Sequence, residues 1–221
     1  MKKFELTNDT KIVFGKKLFR IKALVSFGNV KAGELGGYVE KEENLSHDGN
    51  AWVYDNARVY GNARVCGNAR VCGDVEVYGN ARVCGNAEVY SNARVYGNAW
   101  VYGNAEVYGN ARVCGNAEVR GNARVYGNAR VCGNARVCGN AEVRGNADYA
   151  CVKGFGTEYR NTTFYRQTDG SIGVRCGCFS GTLDEFREQV KNTREGKIAK
   201  EYLMIADLME YHFQKRGRSG R

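Results

Sequence analysis

From Val53 to Val143 a valine returns at every sixth residue, sixteen times in succession, and an alanine stands two positions before each one except Val77, where Val75 takes its place. A period this short excludes helical solenoids, whose units are several times longer. Residues two apart on a strand share a face, so each Ala and its Val point inward while the residues flanking Val point out. The Gly-Asn pair that ends most units supplies a corner, since both residues tolerate the positive φ that a tight turn can require. Each hexapeptide is therefore one short strand and one corner. Composition agrees: 29 Gly and no Pro among 221 residues suit a ladder in which every coil needs its backbone donors.

The unbroken array resembles the left-handed β-helix, or hexapeptide-repeat, family, whose motif sets an aliphatic residue every six positions and a small residue two before it. The resemblance implies three hexapeptides per triangular coil, so that residue n stacks on n+18. Sixteen units would then make a little over five coils, about 25 Å long at a strand spacing of roughly 4.8 Å. Val39, Leu45 and Ala51 extend the inward column, which puts the start near Gly37. The expected fold class is an all-β solenoid, a left-handed parallel β-helix of triangular coils over residues 37–148. A small N-terminal β cap (1–36) and a C-terminal α+β domain with a basic tail (149–221) flank it.

In the cap, residues 11–14 and 17–24 read as strands about a Gly15-Lys16 turn. In the C-terminal domain, a Thr168-Asp169-Gly170-Ser171 turn joins two strands of a hairpin. Thr182 with Glu185 is a capping box that opens a helix. A last helix near 197–214 places Ile198, Tyr202, Ile205, Met209, His212 and Phe213 on one stripe, with His212 expected in a core or interface. The stretches LGGYVEKEENLS (35–46) and CGCFSGTLDEF (176–186) resemble the ends of uncharacterised hexapeptide-repeat proteins encoded by phages and prophages.

Stacking by eighteen turns the outward positions into ladders. One face carries Tyr60, Tyr78 and Tyr96, then Cys114 and Cys132, beside Arg58, Glu76, Arg94, Arg112 and Arg130. Like charges on adjacent strands repel unless water or an anion separates them, so Arg94, Arg112 and Arg130 with Tyr78 and Tyr96 are the expected ligand site. A nucleotide or nucleic acid fits that chemistry. The same residues also suit a soluble β surface with no ligand. A second face, with Trp52, Tyr54, Cys72, Tyr90, Tyr108 and Tyr126, is aromatic and charge-balanced and suits a subunit interface; the third, with Cys66, Cys84, Tyr102, Arg120 and Cys138, is an alternative interface. Family resemblance implies a homotrimer. Tyr159, Arg160 and Arg166 form a further basic aromatic patch, and Lys215, Arg216, Arg218 and Arg221 make a basic tail.

No apolar run is long enough for a signal peptide or a membrane span, which predicts a cytoplasmic chain with no membrane partner. Of nine Cys, six (Cys66, Cys72, Cys84, Cys114, Cys132, Cys138) occupy a repeat position held elsewhere by Tyr or Arg. They read as reduced, dispensable thiols. Cys176-Gly177-Cys178, with Cys151 or His212, lacks the second pair of a zinc site and reads as packing, so no metal or cofactor is expected. Acyltransferases of the resembled family place a histidine base at the trimer interface; here the two histidines, His47 and His212, lie outside the regular coils. The expectation is a non-enzymatic, phage- or prophage-encoded binding protein that sequesters an anionic ligand against host defence. The alternatives are an acyltransferase using His47 or His212 and a structural or assembly protein of a phage particle.

Overall fold

The computed structural model describes residues 1–214, so the basic tail of Lys215, Arg216, Arg218 and Arg221 lies outside the described residues. Each hexapeptide forms a two-residue strand, such as Arg94–Val95 or Glu106–Val107, and pairs in parallel with the strand eighteen residues away. Three parallel sheets result, which stack about six coils into a left-handed β-helix. Every inward Val and Ala from Ala51 to Val143 is wholly buried. The inward column continues upstream of the array: Val39 pairs with Val59, and Leu45 bridges to Val65.

The corners carry more order than their composition suggests. Side-chain amides of Asn62, Asn80, Asn98, Asn116 and Asn134 donate in sequence from Nδ2 to the next Oδ1 at 2.9–3.2 Å. Asn68, Asn86, Asn104, Asn122 and Asn140 repeat this at a second corner. The glycines are needed for two reasons at once: Gly97 has φ +73°, and a Cβ there would lie 3.0 Å from the backbone nitrogen of Gly115 in the next coil. Ser91 takes the same corner position with φ 64°.

Both ends of the apolar column are covered, as a solenoid with open backbone edges requires. At the N-terminal end the antiparallel strands Phe4–Val13 and Lys16–Ala23 join Leu35–Val39, which itself continues into a solenoid sheet. Wholly buried Trp52 meets Phe4 and Phe27 edge to face. Buried Lys3 donates from Nζ to the carbonyls of Ala51 (2.9 Å) and Gly49 (3.2 Å), and desolvation lowers its ammonium to about 8.

At the other end, four antiparallel strands (Tyr149–Phe155, Arg160–Arg166, Ile172–Cys176, Phe179–Thr182) form one sheet. Its Tyr165, only 3% exposed, joins the solenoid core with its hydroxyl 3.0 Å from the Cys138 sulfur. Helices α1 (Leu183–Thr193) and α2 (Gly196–Phe213) pack on this sheet. The capping box forms: Thr182 Oγ1 accepts from the Glu185 N–H at 3.3 Å and the Glu185 carboxylate accepts from the Thr182 N–H at 2.7 Å. His212, expected in a core or an interface, is not part of the core: it is exposed on the single chain. The buried arc of α2 runs from Ile205 to Ala206 through Tyr202, Met209 and Phe213, and at 3.6 residues per turn His212 falls about 20° beyond its edge. Among the described residues no helix is long and apolar enough to cross a membrane.

Candidate functional site

The parallel register aligns Arg58, Glu76, Arg94, Arg112 and Arg130 as consecutive neighbours on one face. Glu76 is 5% exposed and lies between two cations, 3.2 Å from Arg58 Nη2 and 3.2 Å from Arg94 Nε. Arg112 and Arg130 are exposed and have no carboxylate partner among the described residues. The positive charge of the ladder is therefore uncompensated at its C-terminal half, as the spacing suggested.

The tyrosines beside these cations stack ring on ring: Tyr60 on Tyr78 at 5.1 Å and Tyr78 on Tyr96 at 5.0 Å between centroids, within 3° of parallel. Burial pushes Tyr60 up to about 12, aided by Glu76, and raises Tyr78 as well, so both stay neutral phenols at ordinary pH. Tyr78 has a tyrosine on each face and no room for a planar ligand. Tyr96 ends the stack. Beyond it come Cys114 and Cys132, and here the reading of all repeat cysteines as reduced thiols is corrected: these two are disulfide-bonded, with Cα atoms 4.6 Å apart. Two cysteines eighteen residues apart are held at disulfide distance by the coil spacing itself.

The second face holds Tyr90, Tyr108 and Tyr126 in a similar stack, with centroids 4.7 and 4.8 Å apart. Two of its hydroxyls are committed: Tyr90 donates to Glu106 at 3.3 Å and Tyr126 to Glu142 at 2.6 Å, while Arg124 pairs with Glu106 at 3.5 Å. The charges on this face are neutralised locally, in contrast to the Arg112–Arg130 end of the first.

The third face contains a feature that composition did not reveal. A concavity of about 500 Å³ is lined by Glu42, Glu43, Ser46, His47, Arg64, Cys66, Arg82 and Cys84. The His47 ring stacks on Phe4 at 4.5 Å; its Nδ1 accepts from the Lys3 N–H at 3.1 Å, which leaves Nε2 to donate to Glu42 at 2.7 Å. Cys66 and Cys84 are stacked like the disulfide pair but are both thiols. The neighbouring Cys84 thiol, with the charges of Arg64 and Arg82, holds Cys66 down to about 7 while Cys84 is pushed up. The n+18 relation between the two cysteines was already present in the sequence; the approach of the 42–47 segment was not.

The C-terminal patch does not assemble as one unit. Tyr159 ends a turn at φ 47° and Arg160 opens the strand that follows, both exposed. Arg166, at the far end of the Arg160–Arg166 strand, turns inward to Asp148 (3.3 Å) and the Phe213 carbonyl (2.8 Å). Arg160 instead joins Arg136, Lys153 and Arg175 around a basic concavity of about 710 Å³. No three His, Cys, Asp or Glu side chains converge as metal ligands among the described residues.

Three parallel sheets of hexapeptide strands, closed by side chains at both ends, define the class: a hexapeptide-repeat β-helix protein. Within that class, the profile described as the YdcK beta solenoid repeat matches residues 51–65, 63–79, 87–103, 93–109, 119–133, 123–139 and 129–145. Those stretches of the array are similar to β-solenoid repeats of the YdcK type. No curated protein matches the chain significantly.

Proposed function

We propose that this chain is a non-enzymatic binding protein whose solenoid presents an anion-binding strip at Arg94, Arg112 and Arg130, with Tyr96 at its border. The observation that carries the reading is the pair of exposed arginines, Arg112 and Arg130, that adjoin in register without a carboxylate between them. Guanidinium groups on adjacent strands can share one phosphate or grip successive ones. A nucleotide or a single nucleic acid strand supplies both the phosphate and a base to lie against the outer face of Tyr96. Engagement of both His47 nitrogens argues against a general base there, since a base needs a lone pair directed at the acceptor.

The likeness of the flanks to phage and prophage proteins supports a role in the host cytoplasm, where a signalling nucleotide is a suitable target. A homotrimer packed through the charge-neutral tyrosine face is part of the same proposal. Light scattering should give three times the chain mass at micromolar concentration; a monomer overturns the trimer. Fluorescence anisotropy with labelled nucleotides and single-stranded oligonucleotides tests the site. The triple variant Arg94→Ala, Arg112→Ala, Arg130→Ala should lose binding, and a steep salt dependence should accompany binding by the parent. Equal affinity in the triple variant would refute the strip and turn attention to the Arg136, Lys153, Arg160 and Arg175 concavity.

A further inference from the structure

Cys66 and Cys84 occupy the same stacked relation as Cys114 and Cys132, 48 residues nearer the N-terminus and on another face. Their strands pair as Arg64 with Arg82 and Val65 with Val83, and the Cys66 N–H donates to the Val83 carbonyl at 3.0 Å. The backbone geometry that links one pair therefore serves the other equally. What differs is the setting. Cys114 is buried and its pair follows a stacked tyrosine, whereas Cys66 and Cys84 are half-buried and line a concavity that residues 42–47 wall in. Arg64 and Arg82 line the same concavity, both exposed and without a carboxylate partner among the described residues. Of the two acids nearby, Glu42 is already engaged by His47 and Lys2.

We propose that Cys66 and Cys84 form a redox-active dithiol that exchanges with an anionic low-molecular-weight disulfide drawn in by Arg64 and Arg82. The inference is independent of the anion strip. In the first step the Cys66 thiolate attacks one sulfur of the disulfide R–S–S–R. A Cys66–S–S–R bond forms, the R–S–S–R bond breaks, and RS⁻ leaves. In the second step Cys84, having given up its proton to solvent, attacks the Cys66 sulfur; the Cys66–Cys84 bond forms and a second RS⁻ leaves. The two cysteines are oxidised by two electrons and the small disulfide is reduced to two thiols. The lowered thiol of Cys66 suits it to the first attack, because the thiolate is the nucleophile. The two arginines give the pocket its preference for a carboxylate-bearing disulfide.

The test uses the full chain, glutathione disulfide as probe, and intact-mass spectrometry with peptide mapping. The parent should lose two hydrogens and yield a Cys66–Cys84 linked peptide. Cys84→Ser should stop at one glutathione adduct on Cys66, and Cys66→Ser should react in this pocket no faster than Cys72. Replacing Arg64 and Arg82 together by Ala should slow exchange with glutathione disulfide about tenfold, as loss of electrostatic attraction would. Exchange with the neutral bis(2-hydroxyethyl) disulfide should be unchanged in that variant. Tyr and Arg are accepted at this repeat position, so the serine variants should fold, and their melting curves check that. Absence of the Cys66 adduct in Cys84→Ser, or absence of the linked peptide in the parent, overturns the dithiol. An equal response of charged and neutral disulfides to the arginine change overturns the anionic preference.

Discussion

Replacing Arg112 by Glu should move stability and ligand binding in opposite directions. Arg112 lies between Arg94 and Arg130 in a parallel ladder. Elsewhere in the solenoid, Arg and Glu in the same cross-strand register do meet: Arg70 with Glu88 at 3.5 Å, Arg124 with Glu106 at 3.5 Å and Arg136 with Glu118 at 3.6 Å. A glutamate at 112 can therefore reach both neighbours. Exposed cross-strand charge pairs contribute a few tenths of a kcal/mol each, and like pairs cost similar amounts. Two repulsions removed and two attractions gained sum to about 1 kcal/mol, less whatever Arg94 already draws from Glu76. For a chain of this length that raises Tm by roughly 2–4 °C. The gain should shrink in 1 M salt, where the Debye length falls to about 3 Å. Differential scanning calorimetry at low and high salt, with anisotropy binding on the same sample, reads both arms. A variant that loses stability, or that binds nucleotides as the parent does, would refute the idea that this strip is frustrated in the free protein and relieved by an anion.

Glu76→Gln leaves Arg58 and Arg94 without their shared, nearly buried carboxylate; because both arginines are partly exposed, the cost should be about 2–3 kcal/mol in urea unfolding, below that of a fully buried pair. Gly133→Ala and Gly97→Ala demand the same positive φ (+72° and +73°), but a Cβ meets nothing at 133 and backbone at 3.0 Å at 97. The first should therefore cost about 1 kcal/mol and the second at least about 2, and equal costs would show that coil contact is immaterial. Glu40 is held below its ordinary 4.5 by its hydrogen bond from Lys16 and by the Gly61 N–H. A depressed carboxylate stabilises above its unfolded pKa and loses that contribution as pH falls through the folded one, so Glu40→Gln should flatten the stability profile below about pH 4.5. An unchanged acid limb in acid-unfolding curves would count against it.

The hexapeptide period alone specified which side chains go inside. It also specified, once three units make a coil, every neighbour at a separation of eighteen: the arginine strip, both tyrosine stacks and the two cysteine pairs. These contacts repeat a local geometry, and a periodic chain states its own register. The capping box at Thr182 and Glu185 was legible for the same reason, being contained within one turn. What lies outside the period was decided by the tertiary structure. His47 meets Glu42, Lys3 and Phe4 only because the N-terminal strands fold back over the first coil. Arg166 faces Asp148 and Phe213, and Tyr165 plugs the last coil, only because the terminal sheet docks on that end. His212 is exposed because the sheet covers an arc of α2 that stops just short of it. The stacked cysteines share one spacing, and what surrounds each pair, Tyr149 beside Cys132 and the 42–47 segment beside Cys66 and Cys84, came from segments that the repeat does not encode.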